Sequence, residues 1–220
     1  SAMYMDLVNQ GAGTSLLPTG LYSYRLGTHR KSKPTRIQRA ALINQERYVV
    51  LRTAKELVLD PWAKTTIWTE GSVHNIHAGG GATKFSCAGC QVIPGGYQSK
   101  DRAKATGNWL TFQQAAGLAD ATGTPLPDDA RSRFQYMLLT GREGCIAYHG
   151  GPAFENGYYR LRHGSSGPKV ARVQKSLLSQ RADSLPGLIE NGQFDIKTSF
   201  GVLLTKKLDA GEYRSPIVSI

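Results

Sequence analysis

The chain has 220 residues and a mass of 23.9 kDa, with 40% hydrophobic and 20% charged residues; it can bury a real core and is not a disordered chain. Lys and Arg outnumber Asp and Glu by 27 to 16, giving a net charge of +11 and a pI near 9.7. That field attracts polyanions: nucleic acid, an acidic membrane surface or an anionic wall polymer. No apolar run approaches the roughly 18 residues of a membrane span, and three cysteines, Cys87, Cys90 and Cys145, make no disulfide framework.

Ser1-Ala2-Met3 reads as the scar of a cleaved tag and is set aside, and no signal-peptide pattern follows it. Up to about residue 150, short runs rich in β-branched and aromatic residues alternate with Gly-rich turns. Strands are expected at Leu21–Leu26, Tyr48–Leu51, Thr65–Trp68, Val73–His77 and Phe134–Leu139, with a further short strand and turn at Gln91-Val92-Ile93-Pro94. Gly71, Gly79-Gly80-Gly81 and Pro94-Gly95-Gly96 punctuate them. His29-Arg30-Lys31-Ser32-Lys33 through Arg36 is a modest basic cluster. No zinc-finger spacing, RNP-like segment or basic heptad helix accompanies it, so no nucleic-acid partner is expected. Asn108–Leu118 sets Trp109, Phe112, Ala115 and Ala116 at helical spacing. Gly150–Gly167 reads as a connector, and a smaller helical unit follows. Its first helix opens at Pro168 behind a Ser166 cap, with Val170, Val173, Leu177 and Leu178 on one face. A second runs from about Thr198 to Leu208, after a turn at Asn191-Gly192. About 50 residues make a small core, so this unit is expected to lean on the first.

The chemistry concentrates in Val73-His74-Asn75-Ile76-His77 and Phe85-Ser86-Cys87-Ala88-Gly89-Cys90, two histidines and two cysteines within 17 positions. An HxxH and CxxC pair suits a structural zinc ion, but on a strand positions 74 and 77 point to opposite faces. A redox CxxC opens a helix after a strand, whereas Gln91-Val92-Ile93 looks like a strand. A nucleophilic cysteine needs a neighbour that takes its proton, which a histidine on an adjacent strand supplies. Gly89 lets the backbone approach closely and turn N–H groups toward an oxyanion. A buried structural role for all four side chains stays open beside these.

These residues resemble L,D-transpeptidases of the YkuD type, which carry a histidine on a strand and, downstream, a Ser/Thr-x-Gly-Cys segment. Ile76-His77-Ala78-Gly79 is similar to the first element and Cys87-Ala88-Gly89-Cys90 to the second; Pro18-Thr19-Gly20-Leu21-Tyr22 is similar to the family's Pro-x-Gly-x-aromatic strand start. The resemblance covers roughly residues 16–140 and implies Cys90 as nucleophile and His77 as base, with Gly89, Ser86, Cys87 and Asn75 in oxyanion or supporting roles, and no metal or other cofactor. Asn75 shares a strand face with His77 and is placed to orient it; His74 is expected to be outward-facing or structural, and Cys145 to be core or strand-end. The chain departs from the family where Gln91-Val92 stands in place of an aliphatic residue and the arginine that helps hold the substrate, where Cys87 replaces Ser/Thr, and in the short interval of 13 positions from His77 to Cys90. These departures place it nearer secreted antibacterial effectors or phage-borne enzymes than housekeeping cross-linkers.

Gly167-x-x-Val170-x-x-Val173-Gln174-x-x-Leu177 and Gly192-x-Phe194-Asp195-x-x-Thr198 look like the small three-helix peptidoglycan-binding domain, although Val and Leu at this spacing are core in any helix pair. The expected fold class is therefore α+β. A mostly-β L,D-transpeptidase-like catalytic domain spans residues 4–150, a connector 151–166, and a small helical peptidoglycan-binding-like domain 167–220. The resemblance implies an enzyme of the cell envelope, periplasm or exterior, acting on peptidoglycan stem peptides as L,D-carboxypeptidase, D-amino-acid exchanger or L,D-transpeptidase. If it serves competition between bacteria, an immunity protein is an expected partner. A non-catalytic wall-binding protein and a zinc-dependent interaction module are the alternatives.

Overall fold

The computed structural model describes residues 14–33, 37–53, 66–79, 89–98, 103–129, 131–149, 160–210 and 215–219. These form a mixed α+β structure with four α-helices and a curled β-sheet. No helix among them is long and apolar enough to cross a membrane.

The main sheet is built on β2 (Gly20–His29), where burial alternates along Gly20–Leu26 and sends Tyr22, Tyr24 and Leu26 into the core. It pairs antiparallel with β10 (Arg133–Leu138) on one side and β3 (Gln38–Asn44) on the other. β6 (Ile76–Ala78) and β7 (Gln91–Ile93) complete the order β10-β2-β3-β6-β7, the last two pairing in parallel. A second sheet sets β1 (Ser15–Leu16), β4 (Tyr48–Thr53) and β5 (Thr66–Gly71) antiparallel, and Tyr48 and Val50 from it join Tyr22, Tyr24, Leu42 and Ile76 in one apolar core. The strand expected at Val73–His77 begins only at Ile76. Val73 has φ 55°, a left-handed value that interrupts the extended run here and that a β-branched residue rarely adopts.

The two-stranded pair β8 (Gly96–Tyr97) and β9 (Ala105–Thr106) leads into α1 (Asn108–Ala115). Its Trp109 is fully buried and donates from Nε1 to Tyr97 Oη at 3.1 Å, while Gln113 Nε2 donates to the Arg39 carbonyl at 3.0 Å, tying the helix to β3. Gly95, at φ 130°, meets the helix start so closely that a Cβ would run into the Thr106 carbonyl. α2 (Gly141–His149) is a helix where a strand end was expected, and Cys145 lies on it, exposed rather than core. Thr140 and Glu143 explain the helix as a reciprocal cap. Thr140 N–H donates to Glu143 Oε2 at 2.9 Å and Glu143 N–H to Thr140 Oγ1 at 3.2 Å.

The C-terminal unit packs α3 (Pro168–Arg181), a 3-10 turn (Ala182–Ser184) and α4 (Ile196–Ala210) around Val170, Leu177, Leu185, Leu188, Phe194 and Val202. Pro168 opens α3 as expected, but Gly167 takes the cap position without a side-chain bond, because Ser166 bridges instead to Gln193. Gln174, fully buried, holds the Asn191–Gln193 turn. Its Oε1 accepts the N–H groups of Asn191 (3.1 Å) and Gly192 (2.8 Å), and its Nε2 lies 2.9 Å from the Gln193 carbonyl. Asp195 caps α4, its Oδ1 accepting from Thr198 N–H at 2.8 Å.

Of the expected connector, residues 151–159 lie outside the described residues, while the rest is built into the fold. β11 (Arg160–Leu161) pairs with β12 (Val218–Ser219), and Leu161 enters the helical core. His163 is buried against the first unit: Leu21 N–H donates to its carbonyl at 3.0 Å, and its Nε2 lies 2.6 Å from Glu46 Oε2. Its ring stacks on Tyr22 at 5.1 Å.

Candidate active site

The parallel register Ile76↔Gln91 and His77↔Val92, continued by Gln91 N–H donating to the Asn75 carbonyl at 2.9 Å, sets Cys90 level with Asn75 and two residues back from the level of His77. The resemblance-derived base thus sits on β6, and the nucleophile immediately precedes β7, the strand parallel to it. Cys90 is partly exposed and outside any disulfide, and its Sγ lies 3.7 Å from the Val73 carbonyl.

His77 is 1% exposed. Its Nδ1 is 2.8 Å from the Ala78 carbonyl, and a carbonyl only accepts, so Nδ1 carries the proton and Nε2 the lone pair. That Nε2 is buried and has no hydrogen-bond partner among the described residues, an arrangement that calls for a functional explanation. The ring stacks on His29 at 4.3 Å and 8°. Asn75 reaches His77 through this second ring. Its Oδ1 accepts Asn44 N–H at 3.0 Å, which orients the amide, so its Nδ2 donates to His29 Nδ1 at 3.1 Å. His29 was read only as part of a basic cluster; it lies at the end of β2, beyond the period-two run of Gly20–Leu26 that marks the strand.

His74 is buried, not outward-facing. Tyr48 Oη accepts its backbone N–H at 3.0 Å and lies 2.8 Å from its Nδ1. With the Tyr48 oxygen already accepting, its proton goes to Nδ1, which leaves the His74 proton on Nε2. Tyr24 Oη donates to the His74 carbonyl at 2.8 Å. Burial pushes the Tyr24 and Tyr48 hydroxyls above the ordinary phenol range, and the Cys90 thiolate adds to this, so both remain protonated donors. Gly89 lies against the His74 ring. Ser86 and Cys87 lie outside the described residues.

For a metal, no group of three or more His, Cys, Asp or Glu side chains gathers among the described residues. His74 and His77 have separate partners, Tyr48 for one and Ala78 with His29 for the other.

The molecule is thus an α+β protein that brings a cysteine and two buried, differently protonated imidazoles to one end of a parallel strand pair. Comparison with protein-family models, with curated proteins and with solved structures finds no match to this chain.

Proposed function

We propose that this protein is a cysteine-dependent acyl-transfer enzyme of the L,D-transpeptidase kind, acting on peptidoglycan stem peptides. The observation that carries the reading is His77: Nδ1–H is tied to the Ala78 carbonyl, and the Nε2 lone pair is buried with no hydrogen-bond partner among the described residues, on the strand that runs parallel to β7, which Cys90 immediately precedes. A thiol with an ordinary pKa of about 8.5 is mostly protonated at neutral pH, so a lone pair held this way is the group it needs. In the proposed reaction Nε2 takes the Cys90 proton, and Sγ attacks the carbonyl of the diamino acid at position three of a stem tetrapeptide. The C–N bond to D-alanine breaks, the departing amine takes the proton back from His77, and a thioester remains on sulfur. Water, a D-amino acid or another stem's side-chain amine then resolves it, giving carboxypeptidase, exchange or cross-linking activity respectively.

The helical unit supports the same substrate. Its motif residues Val170, Gln174, Leu177, Phe194 and Thr198 are all buried and hold the helix–turn–helix shape, which suits an anchor on the wall. The net charge of +11 favours an anionic polymer.

The test is mass-spectrometric analysis of muropeptides from purified sacculi after incubation with wild type, Cys90→Ala and His77→Ala. Wild type is expected to remove or exchange the terminal D-alanine, or to build 3–3 cross-links. Cys90→Ala should do none of these, and His77→Ala should retain about one part in 10² to 10⁴ of the rate. An unchanged muropeptide profile with sacculus binding retained would leave a wall-binding protein and overturn the catalytic reading.

A further inference from the structure

Gly89 immediately precedes Cys90, yet its backbone is not among the left-handed glycines, so its missing side chain answers a demand of space and not of conformation. A Cβ at this position would lie 2.5 Å from both Cδ2 and Nε2 of His74, and 3.3 Å from the Ser15 Cβ. The His74 ring is not at liberty to yield. Its Nδ1 and its backbone N–H both meet the Tyr48 hydroxyl, at 2.8 and 3.0 Å, and its carbonyl accepts from Tyr24 at 2.8 Å. The preceding residue, Val73, is held at φ 55° with its carbonyl oxygen 3.7 Å from Cys90 Sγ. A β-branched residue rarely adopts that region and persists there only where its surroundings over-determine it. Here two buried tyrosine hydroxyls, from two different sheets, do so.

We propose that His74 is a positioning residue for the nucleophile: clamped by Tyr24 and Tyr48, its ring and the carbonyl of Val73 form the seat that sets where Cys90 Sγ lies. The inference rests on reading Cys90 as the nucleophile. His77 supplies the base, and His74 supplies the place. A misplacement of about one ångström in a reacting group can cost on the order of 10²-fold, so a seat of this kind is worth strain elsewhere in the backbone.

A double-mutant cycle on the folded full-length chain tests the seat without any wall substrate. The rate of Cys90 alkylation by iodoacetamide is measured across pH for wild type, Gly89→Ala, His74→Ala and the double variant. Fragment-ion mass spectrometry separates Cys90 from Cys87 and Cys145. Each single variant is expected to slow alkylation at neutral pH by about tenfold, with the pH profile displaced upward. The double variant should match His74→Ala to within about twofold, because the new methyl occupies the space the ring has left. Tyr48→Phe, which removes only one hydroxyl, is expected to slow alkylation by about three- to tenfold and serves if an alanine variant does not fold. Losses that multiply in the double variant, or an unaltered pH profile in His74→Ala and Tyr48→Phe, would overturn the proposal. D-Alanine release from sacculi is followed in parallel. A coupled cycle in a protein that releases none sinks the enzymatic reading and leaves the seat standing. Release by wild type with an uncoupled cycle does the reverse.

Discussion

Hydrogen-bond partners, more than residue type, separate the three histidines around Cys90. His77 donates from Nδ1 to a carbonyl, His29 accepts at Nδ1 from an amide, and His74 accepts at Nδ1 from a hydroxyl. Identical imidazoles therefore present a bare Nε2 in one case and a protonated one in the others. The same logic explains Gln174, whose buried Oε1 satisfies two turn N–H groups that have no water to turn to. Gln174→Leu keeps the packing volume and strands both donors. It is expected to lower unfolding stability by about 2–6 kcal/mol, at about 1–3 for each stranded group, measured by urea denaturation. A loss below about 0.5 kcal/mol would mean that the turn finds other partners.

At the scale of elements, α2 joins the two units through one side chain. Glu143 closes the cap with Thr140 and also receives both guanidinium nitrogens of Arg162, at 3.2 and 2.5 Å. The Arg162 hydrogen bonds hold its carboxyl well below the ordinary 4.5, down to about 2, against the opposing effect of burial. A depressed carboxylate binds fewer protons folded than unfolded, so its stabilisation is present above about 4.5 and is lost as pH falls through about 2. Thermal unfolding midpoints should fall across that window, and Glu143→Gln should flatten the fall while lowering the midpoint at neutral pH. A slope unchanged by Glu143→Gln would assign the acid sensitivity to other carboxylates. Separately, Thr140→Ala is expected to cost about 1 kcal/mol, from the lost cap.

Across the whole molecule, the docking of the helical unit converges on Glu46 and His163. Burial pushes the Glu46 carboxyl upward, but hydrogen bonds from His163 and from Ser23 N–H more than offset this and hold it below its ordinary value. The His163 ring packs between Tyr22 and Tyr48, and Tyr48 in turn holds His74, so the docking contact and the candidate active site share a side chain. Glu46→Ala is expected to expose the chain around Arg160–Ser166 to trypsin and to lower stability by about 2–4 kcal/mol, with Glu46→Gln intermediate. Protection equal to wild type would show that the remaining contacts, among them those of α4 with β4, keep the units together.

How much of this was legible differs by element. Runs of β-branched and aromatic residues made β2, β4 and β10 readable, and Pro168 with Val170, Val173 and Leu177 marked α3. β3 was missed: in Gln38-Arg39-Ala40-Ala41-Leu42-Ile43-Asn44 burial alternates at each end but slips across Ala40-Ala41-Leu42, where Ala40 has φ 47°, so no unbroken period-two pattern runs through it. α2 was missed because Gly141 and Gly144 obscure a helix that its Thr140–Glu143 cap explains only once seen. His77 and Cys90 were legible as two elements 13 positions apart, but a stretch of that length can span about 45 Å when extended, so only the parallel pairing of β6 and β7 decides that they meet. The α+β class was legible because local periodicity and Gly/Pro punctuation act over neighbouring residues. Only the tertiary structure decided that His29 stacks on His77, that Tyr48 and Tyr24 clamp His74, and that a valine is held left-handed beside the thiol. Those contacts join residues 17 to 50 positions apart, and His29 and His77 are 48 apart. Protonation and strain are set by what the folded chain brings within about 3 Å, which no local pattern encodes.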